Sequence, residues 1–188
     1  NNLMLRAACL ETLCEIGDKQ TLFEIAGIFE NAENNSELNV LMLSYLKLVC
    51  QLGDATAIDL ILKHLDFFVE NYLSDLLENT QKLIEKYNIT SFSPEFLERL
   101  KVKLIDDNIV KTDKVKILFF IARIDFLAIK DLCFELFNKT DEYIQSAIIE
   151  CINEYGDIDL IDKLSELKEK IDSDDLKYLI DDTINKLT

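Results

Sequence analysis

LRAACLETLCEIGDKQTLFEIAGIF, residues 5–29, sets apolar residues at helical spacing on both sides of a Gly17-Asp18 pair. The same arrangement returns as LMLSYLKLVCQLGDATAIDLILKHL over 41–65 and as IQSAIIECINEYGDIDLIDKLSEL over 144–167. Aligned on Gly17, Gly53 and Gly156, the stretches agree position by position. Leu5, Leu41 and Ile144 match, as do Leu10, Leu46 and Ile149, then Leu13, Val49 and Ile152. After the turn, Leu22, Ile58 and Ile161 match, followed by Ile25, Ile61 and Leu164. Apolar spacings of three and four on each side of a short turn predict a pair of antiparallel helices. The glycine is expected to stop the first helix in a left-handed conformation, and the aspartate to cap the second. Small residues at Ala8, Ser44 and Ala147 are expected to let a neighbouring helix approach closely.

The glycines are 36 and then 103 residues apart, which leaves room for two further repeats between them. NYLSDLLENTQKLIEKYN is read as one first helix, stopped at Asn88, with SPEFLERL opening its partner through Ser93 as N-cap and Pro94 at the first helical position. DKVKILFFIARID is read as another, with Asp125 standing where Gly17 stands and a second helix from about Leu127 to Asn138. SDDLKYLIDDTINKL adds one more helix, whose Asp174, Asp175, Asp181 and Asp182 mark it as a polar cap.

The expected fold is therefore all-α, an α-α superhelix or solenoid in a single domain over 1–188. It comprises about five helical hairpins, near 3–30, 36–68, 70–106, 112–138 and 141–170, and a terminal helix at 173–187, about eleven helices in all. Four Gly and one Pro in 188 residues leave little turn punctuation for an all-β chain.

The Leu-Arg-Ala-Ala run at 5–8, with Leu13 and Ile16-Gly17-Asp18 after it, resembles the short HEAT-like repeats first described in phycobilisome lyases. Residues 70–140 depart from it, with Asn79 and Lys116 at the small position and Asn88 and Asp125 at the glycine, and armadillo-like packing is the other reading there. Such a resemblance implies a protein- or peptide-binding scaffold or adaptor. It also admits a lyase-like or glycosylase-like accessory or enzyme, and a regulatory piece of a larger protein. The first residues, NNLMLRAACL, carry neither an initiator Met nor a targeting pattern, so the chain is expected to be a fragment.

Little in the sequence points to catalysis, and no enzyme activity, cofactor or metal is expected. His64 is the one histidine, on an apolar helix position equivalent to Ile28, so the usual zinc sets and Glu-x-x-His pairs cannot be assembled. Iron-binding HEAT-like hydroxylases, built on repeated His-Glu pairs, are excluded on the same ground. Glycines at 17, 27, 53 and 156 cannot form a Walker loop, a dinucleotide fingerprint or a nucleophile elbow. The paired acids Asp106-Asp107 and Asp174-Asp175 are read as solvated carboxylates at helix ends. Cys9, Cys14, Cys50, Cys133 and Cys151, an odd set without C-x-x-C, read as reduced core residues and favour the cytoplasm. Asn34, Asn88 and Asn138 begin Asn-x-Ser/Thr triplets that helix ends generate without any glycan.

The net charge of −16 is uneven: −9 over residues 1–81, +3 over 82–130 and −9 over 141–188. Such a field repels phosphate backbones, so neither nucleic acid nor a membrane is expected as partner. A polypeptide with a basic segment fits better, held by exposed residues of the second helices such as Glu24, Asp59 and Lys63. Arg99 and Lys103 belong to a basic group with Lys101, Lys111, Lys114, Lys116 and Arg123, which either converges on an acidic ligand or is dispersed among acidic neighbours. Leu3, Met4 and Leu5 open the first helix with no polar helix before them, so that end is expected to stack on further repeats or on another copy.

Overall fold

The structure is a computed structural model that describes residues 3–30, 32–87, 89 and 94–188. The described residues are helical without a strand, and no helix among them is long and apolar enough to cross a membrane. They form two compact units, Asn1–Ser93 and Pro94–Thr188. The first holds α1 (Leu3–Ile16), α2 (Lys19–Phe29), α3 (Ser36–Asn39), α4 (Met42–Leu52), α5 (Ala57–Lys63) and α6 (Leu65–Tyr87). The second holds α7 (Pro94–Ile105), α8 (Lys111–Asp125), α9 (Lys130–Phe137), α10 (Glu142–Tyr155), α11 (Ile161–Lys170) and α12 (Asp174–Leu187). Short 3-10 turns at Ala32–Asn34, Phe126–Ala128 and Ile158–Leu160 complete them.

The Gly-Asp turns are built three times in one way. Each glycine N–H donates to the carbonyl four residues back, Gly17 to Leu13, Gly53 to Val49 and Gly156 to Ile152, at 2.8–2.9 Å. The following carboxylate then accepts a backbone amide: Asp18 from Thr21 N at 2.9 Å, as the N-cap of α2, Asp54 from Thr56 N at 2.9 Å, in the turn before α5, and Asp157 from Asp159 N at 3.1 Å, as the cap of the 3-10 turn before α11. Asp125 accepts from Ala128 N at 3.2 Å in the same way. Hydrogen bonds hold the Asp18 and Asp54 carboxyls below the usual carboxylate range. For Asp18 the Thr21 backbone bond is the main cause; for Asp54 it is the hydrogen bond from Lys19, with Thr56 second.

The glycines are not left-handed, contrary to the sequence expectation. Gly53 sits at φ −70, ψ 166 and Gly156 at φ −76, ψ 175, which is extended backbone open to any residue. Space selects glycine instead. A Cβ on Gly53 would stand 2.3 Å from both Ala57 Cβ and Val49 O, and one on Gly17 would meet Leu13 O at 2.6 Å and Leu52 Cδ1 at 2.8 Å.

Within each unit the first helices of successive pairs lie side by side, α1 on α4 and α4 on α6, then α8 on α10 and α10 on α12. Leu10, Leu46 and Leu48, Ile117 and Ile121, Ile148, Ile149 and Ile152, and Leu176 and Ile180 are buried on these helices. Burying each such side chain contributes about 1.5–3 kcal/mol, so packing outweighs every surface contact here. Ion pairs join neighbouring helix pairs at separations of 30–35 residues: Arg6–Glu37, Lys19–Asp54, Lys111–Asp141 and Lys163–Asp131. Each is exposed and adds at most about 1 kcal/mol, but each brings opposite charges together from neighbouring helix pairs.

Other expectations meet corrections. Twelve α-helices are described where about eleven were read, because the short α3 stands apart from α4. α6 runs through the expected boundary near residue 70 and breaks at Tyr72 instead (φ −143, ψ 36). Only Cys50, Cys133 and Cys151 are buried; Cys9 is exposed and Cys14 half-buried. Ala147 is buried and Ser44 half-buried, but Ala8 is exposed, so no close approach explains it. α7 begins at Pro94 as read, whereas Asn88 and Ser93 lie outside the described residues.

Gly53→Ala is expected to cost about 2–3 kcal/mol, because two backbone-anchored neighbours must move. Gly27→Ala, mid-α2 with nothing within 4 Å, is expected to gain about 0.5–1 kcal/mol. Urea unfolding of the two variants measures both, and equal effects would refute the steric account.

Candidate functional site

Two clefts open on the first unit. One is polar and crosses three first helices. Glu11, Cys14 and Glu15 of α1, Ser44, Lys47 and Gln51 of α4, and Asn79 and Lys82 of α6 enclose about 420 Å³. Its residues recur at one spacing: Glu11, Lys47 and Lys82 are 36 and 35 apart, Glu15 and Gln51 36 apart, and Ser44 and Asn79 35 apart. The α1 wall is acidic and the far wall basic. Lys82 bonds Glu78 at 2.6 Å, and each shifts the other toward its charged form, Glu78 down and Lys82 up. Asn79 donates to Asp75 O at 2.7 Å. Burial pushes the Cys14 thiol up, and the negative charge of Glu11 adds to this. A thiol held protonated is a poor nucleophile.

The other cleft is apolar and separates α1 from α2. Leu5, Cys9 and Leu13 face Ile25 and Ile28 across it, with Leu10, Phe29 and Leu41 at the floor and Arg6 and Leu38 at the rim. Its volume is about 430 Å³. The Arg6 guanidinium is held by Glu37 at 3.2 Å.

His64 ends α5, buried between two rings, with Tyr45 at 5.9 Å and Phe68 at 6.1 Å, both edge-on. Tyr45 in turn stacks on Phe29 at 4.4 Å between centroids, and this aromatic column ties the first helix pair to the second. Among the described residues no group of three or more His, Cys, Asp or Glu is gathered for a metal.

The residues singled out from sequence are placed as follows. Glu24 is exposed on α2 and accepts from Gln20 at 3.2 Å; Asp59 is exposed in the first turn of α5. Lys63, also exposed, lies 3.9 Å from Glu30, which links the ends of α5 and α2. Arg99 and Lys103 lie half-buried one turn apart on α7. Four of the surrounding cations pair with carboxylates: Lys101 with Glu98 at 2.6 Å, Lys111 with Asp141, Lys114 with Asp107 at 4.0 Å and Lys116 with Asp113 at 3.1 Å. The sequence reading missed the polar cleft because it looked to the second helices. Charged and amide residues recurring one repeat apart on the first helices were the available signal.

No family model, curated protein or solved structure matches this chain.

A buried phenol and a buried thiol on α4 give a pH dependence. Burial raises Tyr45 from an ordinary 10.0 to about 12 and Cys50 from 9.0 to about 12. Both are acids that the fold keeps protonated, so their contribution is complete below pH 9 and is lost as pH rises toward 12. Urea midpoints should fall over that window, and Tyr45→Phe, which keeps the stack on Phe29, should flatten the fall without lowering stability at neutral pH.

Proposed function

We propose that the chain is a non-catalytic polypeptide-binding module, a scaffold or adaptor of HEAT-like hairpins stacked as a superhelix. Stacking is supported by the side-by-side order of first helices within each unit and by ion pairs at repeat separation. The observation that carries the binding reading is the polar cleft, whose walls come from three successive hairpins. A surface composed jointly by repeats suits an extended ligand better than a small one.

The chemistry of the walls sets the ligand's polarity. Glu11 and Glu15 favour a basic segment at the α1 side, and Ser44, Gln51 and Asn79 offer donors and acceptors for peptide groups. Nucleic acid is disfavoured by the net charge of −9 over residues 1–81. A catalytic role finds no support in the protonated Cys14 or in His64, which is enclosed by rings.

Calorimetric titration with Lys/Arg-rich and Asp/Glu-rich peptides tests this reading. Basic peptides should bind and weaken by about tenfold from low to physiological salt. Glu11→Lys combined with Glu15→Lys should remove that binding while leaving the helical signal intact. Absence of heat with every basic peptide, or binding indifferent to the double variant, would refute it.

A further inference from the structure

The polar cleft holds opposite charges that do not meet. Glu11 and Glu15 line its α1 wall and Lys47 its α4 wall, all three are exposed, and α1 packs directly on α4. Among the described residues none of these three side chains makes a hydrogen bond or an ion pair. The other cations of residues 1–93 are all held: Arg6 by Glu37, Lys19 by Asp54, Lys63 by Glu30, Lys82 by Glu78 and Lys86 by the Gln51 carbonyl. Residues 1–81 carry a net −9, so a cation left open among so many carboxylates stands out. Its charge is felt on both sides of α4. Burial and then Glu11 push the Cys14 thiol on α1 up while Lys47 opposes them, and Glu78 on α6 is lowered first by Lys82 and also by Lys47.

We propose that Lys47 takes a carboxylate of the same polypeptide whose basic group meets Glu11 and Glu15. The segment recognised is therefore dipolar: a Lys or Arg with an Asp, a Glu or a free C-terminus within about three residues of it. This rests on the reading of the cleft as a polypeptide site. The spacing follows from packing, since axes of packed helices lie about 8–10 Å apart and about three residues of extended chain cover that distance. The anion's charge follows from its surroundings. Glu11 and Glu15 line the same cleft and Glu78 senses the same ammonium, so a singly charged carboxylate fits there and a phosphate dianion is repelled.

The two walls then do different work. A purely basic segment satisfies α1 but sets like charge against Lys47, so the carboxylate confers selectivity among basic segments rather than binding as such. Removing Lys47 takes away the advantage of the dipolar segment and leaves the purely basic one its α1 contacts. Lys82 is already neutralised by Glu78, so its removal leaves the preference in place.

Fluorescence anisotropy at roughly 50 mM salt tests it with short lysine-bearing peptides. One set is amidated and carries an Asp about three residues to either side of the lysines, a second has Asn in its place, and a third ends there in a free carboxylate. The carboxylate-bearing peptides should bind about fivefold tighter than the Asn peptides. An advantage confined to the Asp or to the free terminus supports the proposal and names the source. Lys47→Gln should abolish the advantage without weakening the Asn peptides, whereas Lys47→Arg and Lys82→Gln should keep it, all with unchanged circular dichroism. Equal binding of all three sets overturns this inference and leaves the module reading standing, and binding by none overturns both. A preference that survives Lys47→Gln, or is lost with Lys82→Gln, overturns the assignment to Lys47.

Discussion

Three hydrogen bonds of one type set the architecture: the glycine N–H of each Gly-Asp turn closing on the carbonyl four residues back. That bond satisfies one of the first helix's last carbonyls, and the chain then runs extended at Gly53 and Gly156, so that the next carboxylate can accept an amide of the following segment. The geometry brings the glycine Cα so close to the helix it terminates that a Cβ would collide with the bonded carbonyl in all three turns. Once the turn is fixed, the phase of the apolar stripe on each second helix follows from that on the first. Burial of Leu10, Leu46, Ile58, Ile61, Ile149 and Leu164 then supplies the energy, and the ion pairs between repeats select register more than they stabilise.

The all-α class, the Gly-Asp turns and the Asp18 cap were legible because each has a local cause, whereas Asp54 and Asp157 accept amides in the turns ahead of α5 and α11 rather than capping those helices. Periodicity, a missing side chain and a short carboxylate act within a few residues. The glycine backbone was misread because two causes leave one trace: left-handed φ and a forbidden Cβ both demand glycine, and only coordinates separate them. Tyr72 was illegible for a related reason. Around it, LDFFVENYLSDLL supports apolar faces on either side of a break, and no Gly or Pro marks the place. His64 was legible as a structural residue from its apolar neighbours and its match to Ile28, though its seat between Tyr45 and Phe68 depends on residues from two helices.

Site prediction reached less far, since it rested on a choice of face. Glu24, Asp59 and Lys63 are exposed, but Lys63 is turned toward Glu30, and the polar cleft lies on α1, α4 and α6 instead. Spacing alone fixes which residues are equivalent; it does not say whether neighbouring helices diverge enough to leave a groove between them. The basic residues from 99 to 123 illustrate the same gap: their partners Asp107, Asp113 and Asp141 come from loops and helix starts that no periodicity connects to them.

α1 concentrates these themes. Its apolar residues lie all round, a pattern that ordinarily marks a helix buried on every side, yet Leu10 is its one buried residue among those described. Leu5, Cys9 and Leu13 turn to the apolar cleft, while Glu11 and Glu15 turn to the polar one, roughly 140° away around the helix axis. Leu10 lies between, at the floor of the apolar cleft. The helix therefore has two surfaces left over after folding, one apolar and one charged. The apolar surface is made by Leu5, Cys9 and Leu13 and the charged one by Glu11 and Glu15, so the two share no side chain and answer to different forces, burial on one side and charge on the other.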